Sequence, residues 1–312
     1  MFGISPIYNA IVVDLSHTDD IANEAFINGT LSFGPIILMN YLEYDDSLML
    51  NSTIDLPTSR PRTKRHLDIR YLCGEGVAFL NHENQVELRC SAGVFAFSET
   101  TGDRFILTSG RCFPEDLKDL NTTFIYHVPW GQPEAFNFFG FSNFTSYSTT
   151  DFTIIERFDN EIDLTPQIRS SDNNFPSLFI EKFGNPIVGQ HMCISGYVIN
   201  IVCGRVTSLA VNPFLSAVRI HTITVKYLGL LRIETSGVTL HDIDRGGTVF
   251  SYIPSIGNQR VEVYGYVTHY YGRSRKSRKE TVAVTTIHNL RTFGRFMNDL
   301  TFIDMGTYQP PL

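Results

Sequence analysis

From about residue 66 onward, short runs of β-branched and aromatic residues alternate with turn-forming residues. Runs of this kind are typical of strands, and their close spacing is typical of barrels and sandwiches. The clearest runs span 93–97, 105–108, 123–127, 152–156, 218–227, 248–253, 261–271 and 281–286. The sequence therefore predicts an all-β fold for most of the chain.

The period of the apolar residues changes near the C-terminus. They recur there at the spacing that places side chains on one face of a helix. These residues are Ile287, Leu290, Phe293, Phe296, Met297 and Leu300. We expect a final helix that packs against the β body.

The first 65 residues differ from the rest and end in a basic stretch, 60–65, with the sequence RPRTKR. One interpretation of this stretch is a solvated linker. The other is a cleavage site for processing proteases of the secretory pathway, with Arg65 as the processed residue and 1–65 as a propeptide-like segment. The proline keeps such a site extended and accessible. Residues 66–312 then form the main domain.

The composition narrows the range of partners and cofactors. The chain of 312 residues has a net charge of −7, which does not favour binding to nucleic acid. No apolar run approaches the roughly 18 residues that span a bilayer. The sequence shows no metal-ligand spacing, phosphate-binding loop or dinucleotide fingerprint. We therefore expect no cofactor or metal, no nucleic-acid partner and no membrane span.

Several features point to the secretory pathway. Four N-x-S/T sequons are glycosylation candidates, at Asn28, Asn51, Asn121 and Asn143. The five cysteines allow two disulfides with one thiol left over, or none at all. The N-terminal residues contain no recognisable signal peptide. We expect a secreted or extracellular protein whose leader is lost, missing from this sequence or unconventional.

Four segments, in a fixed order along the chain, contain the candidate site residues. The first joins 90–95 (CSAGVF) to 105–112 (FILTSGRC). The second is 150–155 (TDFTII), and the third leads from 189–196 (GQHMCISG) to 202–204 (VCG). The fourth is 244–250 (DRGGTVF). Their common order is more specific than any one of them.

Each segment resembles a landmark of the chymotrypsin-like serine proteases, most closely of the branch that includes alpha-lytic protease and the streptogrisins. In that branch C-S-x-G-F…F-L-T-A-G-H-C contains the catalytic histidine, D-[FYW]-[AGT]-[ILV] the aspartate, and G-D-S-G-G-P-V the nucleophilic serine. A C-x-S-G…C-G loop contains the second disulfide. The resemblance covers residues 70 to about 300. It implies a trypsin-like double six-stranded β-barrel with the active site in the cleft between the barrels.

The sequence departs from this pattern at the catalytic positions. Arg111 stands at the histidine position and Arg245 at the serine position, whereas Asp151 matches the aspartate. Ile243 replaces the glycine that begins G-D-S-G-G, so the oxyanion-equivalent positions are Ile243 and Arg245. Arginine stays protonated and has neither a hydroxyl nor a thiol, and therefore it replaces neither the base nor the nucleophile.

The resemblance also implies new partners for the charged groups. Arg111 is expected to pair with Asp151 and to compensate a buried carboxylate. Asp244 is expected to pair with Arg245 or Arg205, because Ile194 stands where the branch has an arginine. The alternative is that Arg111 and Arg245 face the cleft and form an anion-binding groove.

Further expectations follow from the same resemblance. It implies the disulfides Cys90–Cys112 and Cys193–Cys203, and it leaves Cys73 as a buried free thiol or an intermolecular bridge. It also implies a pocket wall near 267–269 and a pocket floor near Thr239. Outside these positions, Ser109, Ser236 and His241 are interpreted as surface or turn residues. The basic stretch 272–279 is interpreted as an extended hairpin tip, either solvated, in contact with an acidic partner, or open to proteolysis.

The functional prediction is a pseudoprotease. Such a catalytically inactive serine protease homologue would bind a peptide or protein in the inter-barrel cleft, or have a regulatory role. The alternative is an active serine-type endopeptidase that uses Asp151 in an unrecognised catalytic arrangement. A third possibility is a duplicated gene product without a retained role.

Overall fold

The computed structural model describes residues 2–5, 10–15, 36–39, 69–80, 85–113, 124–133, 135–146, 150–158, 162–211, 230–236, 241–254, 259–273, 279–291 and 299–308. The predicted strand at 218–227, the processing site at Arg65 and the pocket floor at Thr239 lie outside these residues. The same is true of the sequons at Asn28, Asn51 and Asn121, whereas Asn143 lies on a described strand.

Twenty strands account for most of the described residues. They are β1 (Phe2–Ser5), β2 (Ala10–Leu15), β3 (Ile36–Met39), β4 (Ile69–Cys73), β5 (Gly76–Leu80), β6 (Val86–Ser91), β7 (Val94–Ser98), β8 (Arg104–Thr108), β9 (Phe124–Val128), β10 (Asn137–Ser146), β11 (Phe152–Arg157), β12 (Ile162–Asp172), β13 (Phe175–Phe183), β14 (His191–Gly196), β15 (Asn200–Val211), β16 (Leu230–Ser236), β17 (Thr248–Tyr252), β18 (Arg260–Arg273), β19 (Lys279–Thr286) and β20 (Leu300–Phe302). Two 3₁₀ turns span Gly110–Cys112 and Asp242–Asp244, and a short helix, α1, spans Ile287–Arg291. In this part of the chain, no helix is long and apolar enough to cross a membrane. The prediction of an all-β fold is confirmed.

The N-terminal strands β1, β2 and β3 form a three-stranded sheet of their own. Strands β1 and β2 pair antiparallel, whereas β2 and β3 pair parallel. All three strands belong to the segment 1–65 that the sequence separates from the main domain.

The second half of the chain forms a closed barrel. Its nine-stranded sheet has the order β17-β14-β15-β16-β19-β18-β13-β12-β4, and an additional pairing of β17 with β18 closes six of these strands into a ring. Side chains on the inner face form an apolar cluster of Met192, Ile194, Val202, Val206, Ile233, Val249, Tyr264, Val267, Val282 and Val284. This ring matches the six-stranded barrel that the resemblance implies.

The first half of the chain forms an eight-stranded sheet, with the order β20-β7-β8-β11-β10-β9-β5-β6. It has more strands than the expected six, partly because β20 returns from the C-terminal region and pairs antiparallel with β7. Leu300 therefore lies on a strand, which corrects its assignment to the final helix. The edge of β7 offers unpaired backbone groups, and pairing with β20 satisfies them.

The C-terminal helix begins as predicted at Ile287, and it is described as far as Arg291. Ile287 and Leu290 are buried, as the periodicity requires. The other predicted members of this helix face, Phe293, Phe296 and Met297, lie outside the described residues.

One apolar core joins the two sheets. It contains Phe79, Phe95 and Ile106 from the first sheet together with Phe250 and Tyr266 from the second. Because these side chains belong to the same cluster, the sheets pack directly on each other. The polar residues at their junction form the site described below.

Both expected disulfides are present. Cys90 on β6 is bonded to Cys112 in the first 3₁₀ turn, and Cys193 on β14 is bonded to Cys203 directly opposite on β15. Cys73 is a buried free thiol, and burial raises its pKa well above the usual range of a cysteine. These bridges fix the loop before the candidate site and the hairpin beside it.

Candidate functional site

The centre of the site is Asp151, a fully buried carboxylate directly before β11. Its Oδ1 accepts hydrogen bonds from the Ser109 hydroxyl at 2.9 Å and from the Arg111 backbone N–H at 3.3 Å. Its Oδ2 lies 3.1 Å from Nε of Arg111. The expected ion pair between Arg111 and Asp151 is thus present in the structure.

A capped 3₁₀ turn brings the donors to this carboxylate. Ser109 caps the turn Gly110–Cys112, because its hydroxyl also accepts a hydrogen bond from the Arg111 N–H at 3.2 Å. Gly110 passes so close to the neighbouring chain that an added Cβ would lie 2.5 Å from the Ser146 carbonyl oxygen. Ser109 is therefore a buried partner of Asp151, which corrects its interpretation as a surface or turn residue.

The second sheet holds the backbone of the same aspartate. The hydroxyls of Tyr266 on β18 and Thr285 on β19 donate to the Asp151 carbonyl oxygen at 3.2 Å and 3.3 Å. Asp151 therefore lies where the two sheets meet. These contacts join residues that are 115 and 134 positions apart in the sequence, so no local sequence motif predicts them.

The electrostatics of Asp151 reflect two opposing effects. Burial raises the pKa of this carboxyl, while the Arg111 charge and the Ser109 hydrogen bond lower it, and the net direction is upward. The guanidinium thus compensates part of the cost of a buried carboxylate.

His269 on β18 belongs to the same cluster. Its Nε2 lies 4.0 Å from Oδ2 of Asp151, and its Nδ1 lies 3.0 Å from the Thr268 hydroxyl oxygen. That hydroxyl donates to the Ala283 carbonyl at 3.3 Å, so its oxygen accepts from an Nδ1–H tautomer of the ring. Burial, and then the charges of Arg111 and Arg245, lower the pKa of His269 well below its usual value, which keeps the imidazole neutral.

Arg245 follows the 3₁₀ turn Asp242–Asp244. Its Nη2 lies 2.6 Å from Oδ1 of Asp242, and its backbone N–H donates to the Asp242 carbonyl at 3.1 Å. The Arg245 carbonyl oxygen accepts from the Ser91 N–H at 2.7 Å, and the Ile243 carbonyl accepts from the Ser91 hydroxyl at 3.1 Å. This loop is therefore fixed to the first sheet through Ser91.

Asp244 is compensated by backbone groups. Its Oδ1 accepts from the N–H groups of Val198 at 2.7 Å and Ile199 at 3.0 Å, and its Oδ2 from the N–H of His241 at 3.2 Å. Burial raises the pKa of Asp244 to about 6 despite these bonds. The expected pairing with Arg245 or Arg205 is wrong, because a turn at Val198 offers two free amides and Arg245 binds Asp242 instead.

Solved structures with a similar fold support the architecture. Thermobifida fusca protease A gives a TM-score of 0.53 at 14% identity, over 75% of this chain and 99% of that chain. Nocardiopsis protease gives 0.52 at 17% identity, over 75% and 98%. Cellulomonas bogoriensis chymotrypsin gives 0.51 at 16% identity, over 76% and 100%. No protein-family model matches the sequence, and no curated protein does.

The chain has the chymotrypsin-like protease fold. The prediction of a trypsin-like double β-barrel is confirmed. The segments that contain Arg111, Asp151 and Arg245 converge at β18. His269 Nε2 lies 4.0 Å from Oδ2 of Asp151, which pairs with Arg111, and the N–H of Gly246, the residue after Arg245, donates to the Val267 carbonyl at 2.8 Å.

The remaining predicted residues lie away from this cluster or are not described. His241 precedes the second 3₁₀ turn and donates to Asp244, and Ser236 ends β16. The predicted pocket wall 267–269 lies on β18 and contributes His269, a residue whose closeness to Asp151 the sequence did not reveal. Among the described residues of this chymotrypsin-like fold, no group of three metal-binding side chains occurs.

Proposed function

We propose that this chain is a catalytically inactive homologue of the chymotrypsin-like serine proteases that binds a peptide or protein in the cleft between its barrels. The observation on which this proposal rests is the ion pair of Arg111 with Asp151, at 3.1 Å. At the position of the family's general base stands a guanidinium that remains protonated at any physiological pH. It cannot take a proton from a nucleophile or return one to a leaving group.

The loop at Arg245 supports the same proposal. The family's nucleophile position holds a guanidinium, which forms no acyl intermediate. The backbone N–H of Arg245 donates to the Asp242 carbonyl at 3.1 Å, and that of Gly246 to the Val267 carbonyl at 2.8 Å. An oxyanion needs amides that point into the cleft without another acceptor. The amide of Arg245 is already used within its own turn.

The alternative is an active endopeptidase in which His269 acts as the base beside Asp151. One observation favours it, since Nε2 of His269 lies 4.0 Å from Oδ2 of Asp151. The hydroxyl that contacts the ring is that of Thr268, which is fully buried and donates to the Ala283 carbonyl. A buried, already bonded hydroxyl is a poor nucleophile, so the inactive homologue is the better-supported function.

Strand β18 offers an edge for a peptide. On one side it pairs with β19 as far as Arg273, whereas on the other its ladder with β17 ends at Tyr266. An extended peptide can pair with such an edge and add a strand to the sheet.

The two disulfides and the sequons bear on the compartment in which the protein functions. Two disulfides are compatible with an extracellular protein. We infer that the mature form is a secreted glycoprotein that comprises 66–312, released by cleavage after Arg65. Enzymatic removal of N-glycans should lower its apparent mass, and N-terminal sequencing of the secreted form should begin at His66. An unshifted mass and an intact N-terminal segment would contradict this inference.

The test of inactivity is direct. The purified chain is incubated with a fluorophosphonate probe and with casein, beside trypsin as a positive control. We expect neither labelling nor casein turnover. Specific labelling of the unaltered chain would overturn the proposal. An Arg111→His, Arg245→Ser variant serves as the matched comparison, because it restores the two side chains and leaves the loop hydrogen bonds in place.

A further inference from the structure

A cluster of aromatic side chains lies on the outer side of the first sheet. Phe124 and Tyr126 lie on β9, Phe138 and Phe141 lie on β10, and Phe158 directly follows β11. The ring centroids of neighbouring members are 5.5–5.9 Å apart, the separation of packed aromatic pairs. We call these five residues the aromatic face.

The aromatic face is open to solvent. Phe158 is 70% exposed and Phe124 is 40% exposed, whereas Ile125 and Phe139, on the same strands, are buried. The N–H of Phe158 donates to the Phe139 carbonyl at 2.8 Å, which fixes Phe158 beside β10. Each aromatic side chain has an area of about 150–250 Å², so the partly exposed face presents on the order of a few hundred Å² of apolar surface. A patch of this size marks either a place where something binds or a risk of aggregation.

A glycosylation sequon begins two residues after a member of this face. Residues 141–145 have the sequence FSNFT, in which Asn143 is the acceptor and Phe141 belongs to the aromatic face. Asn143 is also the extra residue of a β-bulge, because the register of β10 with β11 shifts between Ser142 and Phe144. A bulge interrupts the ladder and leaves its extra residue unpaired. The acceptor therefore lies at an irregular backbone position next to the aromatic face.

The threonine of this sequon has a structural contact of its own. Its hydroxyl oxygen, in Thr145, lies 2.6 Å from that of Thr153 on β11. N-glycans are attached while the chain enters the secretory pathway, before these strands have formed. The contact in the folded protein therefore does not compete with attachment of a glycan.

The core of an N-glycan has the chemistry to cover the aromatic face. It begins with two N-acetylglucosamine rings, and each of these rings has a side that presents C–H bonds. Such bonds are attracted to the negative face of an aromatic ring, while the sugar hydroxyls stay in water. The exposed apolar area is smaller than the roughly 800 Å² that each partner of a standard protein interface buries. A glycan that is already attached loses no translational freedom when it contacts the face.

We propose that Asn143 carries an N-glycan whose first N-acetylglucosamine rings pack on Phe141 and Phe158 and cover the aromatic face. Phe141 is the member closest to the acceptor in sequence, and Phe158, whose ring centroid lies 5.8 Å from that of Phe141, is the most exposed member. The inference rests on the proposed secreted glycoprotein. It adds which sequon is modified and what the glycan does, namely to shield apolar surface that would otherwise promote aggregation.

The experiment uses the full chain, secreted from cells that make only high-mannose glycans. Glycopeptide mass spectrometry measures the occupancy of each sequon, and endoglycosidase H then leaves one N-acetylglucosamine on each occupied asparagine. Asn143→Gln removes the glycan from this site alone, and Phe141→Leu keeps an apolar side chain but removes the aromatic ring. Tyr252→Leu is the matched control, because Tyr252 is also a partly exposed aromatic residue and lies on β17 of the other sheet.

We expect Asn143 to be occupied. In the trimmed protein, ring currents should shift the NMR signals of the N-acetylglucosamine on Asn143 upfield. Asn143→Gln should lower the melting temperature by about 2–4 °C, the effect of one aromatic contact in a domain of this size, and should increase the binding of an apolar dye. Loss of the glycan should have no such effect on the melting temperature in the Phe141→Leu background and the full effect in the Tyr252→Leu background. If Phe141→Leu fails to fold, the NMR shifts decide the matter.

Three other outcomes would overturn the inference. An empty Asn143 beside other occupied sequons, or a glycan on Asn143 whose signals are unshifted, would refute it and leave the secreted glycoprotein in place. Self-association of the glycosylated chain that Phe158→Ser removes, measured by sedimentation, would show that the aromatic face is instead an interface between copies of the chain. If every sequon is empty, the inference and the proposed glycoprotein both fall.

Discussion

Nε of Arg111 lies 3.1 Å from Oδ2 of Asp151, a carboxylate whose side chain is fully buried. In the resembling proteases a histidine stands at the position of Arg111. Histidine exchanges its proton near neutral pH, whereas arginine keeps a fixed positive charge. The guanidinium therefore compensates the charge of the buried aspartate, and it does not accept a proton.

Removal of the Arg111 charge should destabilise the fold. An Arg111→Met variant leaves Asp151 buried without its cation, and breaking a buried pair costs about 3 kcal/mol. Urea unfolding of the variant and the unaltered chain measures this difference. The control is the double variant Arg111→Met, Asp151→Asn, in which the uncompensated charge is also gone and most of the loss should be recovered. Equal losses in the single and double variants would show that the ion pair does not support the fold.

Gly110 should tolerate no side chain. A Cβ at this position would meet the Ser146 carbonyl oxygen at 2.5 Å and Oδ1 of Asp151 at 3.2 Å. We expect Gly110→Ala to lower the free energy of unfolding by about 3 kcal/mol, because backbone atoms on both sides must move. Gly306→Ala is the matched control, since its added Cβ would lie at 3.4 Å from Asp304 Oδ1, which is ordinary contact. Similar melting temperatures for the two variants would contradict the packing described for this turn.

The two disulfides should differ in their contribution. Cys90–Cys112 closes a loop of 22 residues and Cys193–Cys203 one of 10. Loop entropy gives about 3.4 kcal/mol for the longer loop and about 2.7 kcal/mol for the shorter one. Unfolding of the Cys90→Ala, Cys112→Ala and Cys193→Ala, Cys203→Ala variants tests this order. Non-reducing peptide mapping should recover both linked pairs, and iodoacetamide should modify Cys73 only after unfolding, because its thiol is buried.

Sequence motifs predicted those parts of the molecule that depend on local order along the chain. Most of the β-rich runs are strands in the structure, and the resemblance to the chymotrypsin-like proteases implied both disulfides and the pair of Arg111 with Asp151. Motifs of this kind fix the position of a residue relative to its neighbours on the same segment. They therefore succeed where a site is built from such segments.

The same motifs failed where a distant backbone group supplied the partner. For Asp244, charge considerations predicted an arginine, but the N–H groups of Val198 and Ile199 bind it, 46 and 45 residues away in sequence. Amides of a turn have no pattern in the sequence that marks them as available. The spacing of Leu300 is typical of a helix, but in the structure Leu300 begins β20, which pairs antiparallel with the edge strand β7.

The pH dependence of stability should report on Asp244. Burial raises its pKa from 3.8 to about 6. Between these values the folded state binds a proton that the unfolded state does not, so this group stabilises the fold at low pH and the contribution is lost as the pH rises through about 6. The stability advantage of the unaltered chain over Asp244→Asn should therefore be larger at about pH 4.5 than at about pH 7.5. Urea unfolding at both values tests this, with Asp242→Asn as the control for a carboxylate removed from the same turn.

His269 should show the opposite dependence. Its pKa is well below 6.5 because the ring is buried and faces the charges of Arg111 and Arg245, while Asp151 lies 4.0 Å from Nε2. As the pH falls below 6.5, the unfolded state takes up a proton that the folded state refuses, so stability is lost toward acid. The free energy of unfolding should therefore decrease between about pH 7.5 and about pH 5.

A His269→Gln variant isolates this contribution, because glutamine keeps a neutral polar side chain and does not titrate. Its free energy of unfolding should decrease less than that of the unaltered chain over the same pH interval. The imidazole signals of His269 in an NMR titration should also keep the chemical shifts of a neutral ring down to the pH at which the chain unfolds. A normal imidazole titration, or parallel pH profiles for the two proteins, would contradict the neutral ring between the two arginines.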